Sequence, residues 1–113
     1  MTNTANYLLS SGTIKGDSVV NAQGEDLGHV EDLMINPASG KVEYAVLSFG
    51  GFMGLGDKYF AVPFTRFGVD REHHRMVLNV DKDRLKEAPG FDKDNWPDFA
   101  DTEFTSSVNS YYG

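Results

Sequence analysis

Cysteine is absent from the 113 residues, which excludes disulfides, thiolate nucleophiles and cysteine-ligated zinc. Such a chain suits a reducing compartment, and the expected location is cytoplasmic. No apolar run approaches the roughly 18 residues that a membrane-spanning helix needs. The opening stretch, MTNTANYLLSSGTIKG, has neither the basic start nor the apolar core of a secretory signal. Bases are scarce: ten Lys and Arg stand against 17 Asp and Glu, a formal charge of −7. A surface of that sign repels phosphate backbones and anionic lipids, so neither nucleic-acid binding nor membrane insertion is expected. Proline is rare as well, with four residues against twelve glycines.

What is present is enough for one core. The chain is 40% hydrophobic and 12% aromatic, too apolar for wholesale disorder, and its length fits a single domain. Short β-branched and aromatic runs separated by glycine-rich turns indicate an all-β fold. The runs fall at 18–21, 28–35, 41–49, 59–62, 64–69 and 75–80. In the second run, apolar positions Val30, Leu33 and Ile35 slip by one residue near Glu31 and Asp32, as a β-bulge would cause. Asn36-Pro37-Ala38-Ser39-Gly40 then reads as a hairpin turn, with Pro preset for its second position. The run 41–49 is apolar on both faces: Val42, Tyr44 and Val46 on one, Ala45, Leu47 and Phe49 on the other. Such a strand needs cover on both sides. One cover is a barrel interior; the other is the carboxyl-terminal segment or a second subunit.

After residue 80 the period-two pattern stops. Asp81 suits a helix N-cap, 82–88 suits one or two helical turns, and Pro89-Gly90 ends them. Phe91, Trp96 and Phe99 are apolar anchors on an otherwise acidic strap. Residues from Ala100 onward read as a frayed tail, whose removal beyond Asp101 is expected to be neutral. The expected organisation is an extension at 1–13, a domain at 14–99 and a flexible tail at 100–113.

Three stretches in this order resemble the PRC-barrel domain: VNAQGEDLGHVEDL at 20–33, VLSFGGFMGLGDKYFAVP at 46–63 and VDKDRLKEAPGF at 80–91. The resemblance implies a small, mostly antiparallel PRC-type β-barrel, here with a short C-terminal helical turn and an irregular strap. The family occurs in the cytoplasmic part of the photosynthetic reaction centre H subunit, in the carboxyl-terminal domain of the ribosome maturation factor RimM, and as short stand-alone bacterial proteins. The stand-alone group is the expected match. It implies a non-enzymatic protein-interaction or assembly module. A RimM-like role in ribosome assembly, by binding a ribosomal protein, and a small-ligand or ion-binding module are the alternatives.

Side-chain chemistry nominates no catalytic, cofactor or metal residues. Gly51 and Gly56 have Walker-like spacing, but Asp57-Lys58-Tyr59 follows where Gly-Lys-Ser/Thr is required. His73 and His74 are adjacent and would diverge on a strand, leaving polar turn residues rather than a chelate. His29 reads as a surface residue. Asp92, Asp94, Asp98 and Glu103 mimic calcium-loop positions, yet Trp96 and Pro97 occupy the next ligand and the obligatory glycine. The pairs Glu25-Asp26 and Glu31-Asp32 have no evident shared pocket. Ser10, Ser11, Ser18 and Ser48 have no base partner. What remains is an interface. Tyr44 and Val46 on the outer face of the third run, with Phe52, Met53 and Leu55 in the glycine-rich loop, are the candidate contacts of a homodimer or of an unidentified protein partner. The loop could instead fold back as a barrel cap.

Overall fold

A computed structural model describes residues 8–50 and 58–113. The chain opens with a single helical turn, α1 (Ser11–Ile14), capped by the Ser10 hydroxyl, which accepts a hydrogen bond from the Gly12 amide at 3.2 Å. The turn buries Ile14 and delivers the chain to β1 (Ser18–Val20). Asn21 then reverses direction. Its Oδ1 accepts from the amides of Gln23 and Glu25, while its Nδ2 donates to Glu25 Oε1 and to the Val80 carbonyl. This buried amide is therefore fully partnered, as a polar group out of water must be.

The strand β2 (Asp26–Asn36) pairs antiparallel with β1 and with β3 (Lys41–Phe49). Gly28, at φ +94°, passes so close to β3 that a Cβ would stand 2.1 Å from the Ser48 carbonyl oxygen. Only glycine fits that approach. The β2–β3 register slips between Val30 and Asp32, the bulge expected from the broken alternation, and again between Met34 and Ile35. The Asn36–Gly40 hairpin is closed by the Gly40 amide donating to the Asn36 carbonyl at 2.8 Å. Asn36 Oδ1 accepts from Ala38 and Ser39.

Beyond β3 lie β4 (Lys58–Pro63), a 3-10 turn (Phe64–Arg66), the hairpin β5 (Phe67–Asp70) and β6 (Arg75–Leu78), α2 (Lys82–Lys86) and β7 (Gly90–Phe91). Among the described residues one sheet contains seven strands in the order β5-β6-β1-β2-β3-β4-β7. Its inner face carries the main core, with Val19, Leu27, Leu47, Phe60, Met76 and Leu85 among its fully buried members. Burying each such side chain stabilises the fold by about 1.5–3 kcal/mol.

Two expectations are corrected here. The sheet is mostly antiparallel, as expected, but it does not close into a barrel. Among the described residues it is open and mixed, because β6 lies parallel to β1 and the edge strands β5 and β7 do not pair. Pro63, without an amide donor, ends β4. The 3-10 turn diverts the chain there, and a two-residue β7 is too short to close the gap. The frayed tail is not found either. Residues Thr102–Tyr112 form α3, started by Asp101, whose carboxylate accepts from the Glu103 amide at 2.9 Å. Phe104, Val108 and Tyr111 recur at helical spacing, and packing of that stripe outweighs the weak helix propensity of its Thr, Ser and Asn residues.

Candidate interaction surface

The outer face of β3 is already occupied. Val46 is fully buried in a second cluster with Ala61 and Phe91. The rings of the strap close over it: Phe91 lies 5.1 Å from Trp96 and 6.4 Å from both Phe99 and Phe104. Tyr44 is half-buried, its ring 5.8 Å from Phe99 and its hydroxyl donating to Asn109 Oδ1 at 3.3 Å. Of the two covers that a doubly apolar strand could have, the strap and α3 are the ones seen. Val46 therefore has no exposed surface to offer a second subunit, which corrects that expectation for this residue, because aromatic anchors on the adjacent strap gain more by burial here than in water. Phe52, Met53 and Leu55 lie outside the described residues.

The polar candidates do structural work. Asp70 gathers the β5–β6 turn: its Oδ1 accepts from the His73 amide at 3.2 Å, and its Oδ2 lies 2.9 Å from His73 Nδ1 and 3.0 Å from Arg75 Nε. Desolvation alone would raise the Asp70 pKa, but the hydrogen bonds from His73 and Arg75 outweigh it and hold the carboxyl below its usual range. His74 takes φ +53° in that turn. His29 pairs with Glu31 at 3.3 Å. On the strap, Asp98 accepts from the Ala100 amide and Asp101 caps α3. Among the described residues no three His, Asp or Glu side chains converge on a point where a metal ion could sit. No helix among them is long and apolar enough to cross a membrane.

An unforeseen apolar surface lies where the first turn meets the β2–β3 hairpin. Leu8 is 96% and Ile35 56% exposed, and Leu9 stands between them in the lining of a groove of about 330 Å³. Ile14, Leu33, Val42 and Phe64 complete its apolar walls, and among the described residues Ser11 is the one polar residue in it. Ser10 caps the turn that sinks Ile14 into the core, so the two leucines just before it remain outside. A larger hollow of about 710 Å³ shares Leu9 and Ile14 as a wall and continues toward Val69, Glu72 and His74. The sequence signal was the Leu8-Leu9 pair in an otherwise polar stretch, which reads as part of a frayed extension when no partner strand is in view. Ile35 looks like an inward strand residue until the second bulge is known.

These features define a small β-rich domain: an open sheet packed on both faces, with an uncharged groove beside the first turn. The chain belongs to the PRC-barrel domain family, whose model matches residues 9–85. That match ends inside α2, so β7, the strap and α3 lie beyond it. Among solved structures the chain is similar to one named as a 16S ribosomal RNA processing protein RimM from Pseudomonas aeruginosa, at 16% identity and a TM-score of 0.48. The similarity covers 73% of this chain and 50% of that one, so this chain spans half the length of that protein. No curated protein matches the sequence.

Proposed function

We propose that this chain is a non-enzymatic protein-interaction module that pairs with a second copy of itself through the groove bounded by Leu8, Leu9 and Ile35. The observation that carries the reading is the side-by-side placement of protruding leucines and an apolar groove with no charged lining residue among the described residues. A two-fold pairing uses the same patch twice, so Leu8 of one copy meets the groove of the other. The uncharged patch also lets two copies of net charge −7 approach without burying a carboxylate.

Mixing isotope-labelled with unlabelled protein and recording intermolecular contacts by NMR tests the reading directly. Contacts from the Leu8 and Ile35 methyl groups to the groove of the other copy are expected. Ile35→Glu should abolish them while leaving the folded monomer intact, because the charge meets water on the monomer and an apolar wall in the pair. Intermolecular contacts confined to other surfaces would refute the groove as the site.

A further inference from the structure

A different cavity, of about 230 Å³, lies where α3 ends against α2 and the 3-10 turn, and Arg66, Asn79, Arg84, Tyr111 and Tyr112 line it. It is locally basic in an acidic protein. Among the described residues neither arginine is ion-paired, although the chain carries 17 carboxylate side chains. Asp83, next to Arg84 in sequence, is 3.9 Å from Lys86 instead.

Arg84 is held in place without an anion. Its Nη2 donates to the Tyr111 carbonyl at 2.6 Å, its guanidinium lies 4.4 Å from the centroid of the Tyr111 ring, and the Tyr111 hydroxyl donates back to the Arg84 carbonyl. A guanidinium has five N–H donors in a rigid fork, so most of them remain available. The neighbouring Tyr112 hydroxyl is buried and has no hydrogen-bond partner. Burial, reinforced by Tyr111 and opposed by Arg84, pushes its pKa up.

We infer that this cavity binds a small oxyanion, a single carboxylate or phosphate group, held by Arg66 and Arg84 with the Asn79 amide as a neutral donor. Both guanidinium groups line the cavity without an ion pair among the described residues, and one oxyanion satisfies both through charge-assisted hydrogen bonds. The overall negative charge disfavours indiscriminate anion uptake, so binding depends on this local set. Because the lining comes from the 3-10 turn, the end of β6, α2 and α3, the anion joins four parts of the fold. It acts on the native state alone, so it raises the melting temperature. The inference is independent of the groove.

Inorganic phosphate and acetate, each titrated against sodium chloride at matched ionic strength, provide the test. The Arg66 and Arg84 Nε–H resonances and the Tyr112 amide should shift saturably with at least one anion, and the melting temperature should rise above that in chloride. Which anion acts separates a phosphate ligand from a carboxylate ligand. Arg66→Gln, at an exposed position, should weaken the affinity about tenfold and leave the melting temperature in chloride unchanged. Asn79→Ala should weaken it less. Shifts no larger than those in chloride for both anions, or an unaltered affinity in Arg66→Gln, would overturn the inference.

Discussion

Asn21 makes four hydrogen bonds from a site only 2% exposed, joining the β1–β2 turn to the end of β6. Asn21→Ala strands two amides and a carbonyl, so equilibrium denaturation should show a loss of about 2–3 kcal/mol. Gly28→Ala should be at least as damaging, since positive φ and the Ser48 carbonyl both oppose a Cβ. Asp70 offers a pH signature. Its folded-state pKa is lowered, so its contribution is full above the ordinary carboxylate range and disappears as pH falls through that lowered value. The melting-temperature gap between wild type and Asp70→Asn should therefore shrink as pH drops below about 4; a gap that widens would contradict the assignment. None of these roles was legible from residue type alone. Asn, Gly and Asp mark turns generically, and what distinguishes these three is the strand that each one meets across the sheet.

The strap and α3 behave as one element. An isolated helix of eleven residues rich in Thr, Ser and Asn has little stability of its own, so α3 exists because Phe104 and its neighbours bury against Phe91, Phe99 and the outer face of β3 and β4. Truncation after Asp101 should then lower the melting temperature clearly, and truncation after Gly90 should lower it further. Phe104→Ala should cost about 2 kcal/mol. An unchanged melting temperature in the shorter truncation would show that α3 is dispensable. The anchors Phe91, Trp96 and Phe99 were readable as isolated aromatics on an acidic strap, and so was the need for a second cover on the third strand. The helix was not, because its polar residues mask a stripe that becomes visible only when Phe104, Val108 and Tyr111 are aligned at their spacing. Strand β7 was equally hidden: two residues carry no periodicity.

At the scale of the whole molecule, strand positions and the first bulge follow from local alternation, which the sequence displays directly. Sheet closure and the parallel β1–β6 pairing depend on contacts between residues nearly sixty positions apart, and no local pattern reports them. The candidate site shares that fate, since Leu8, Leu9 and Ile35 form one surface only after the first turn and the β2–β3 hairpin are brought together. Covering the outer face of β3 from within the chain leaves the groove as the apolar surface open to a partner among the described residues. The most direct measurement is sedimentation equilibrium of the wild type and of Ile35→Glu over a wide concentration range. The account predicts a reversible monomer–dimer equilibrium for the wild type, burying about 1,000 Å² or more in the dimer, and a monomer for the variant. A wild type that remains monomeric at the highest concentrations, or a variant that dimerises as tightly, would contradict it.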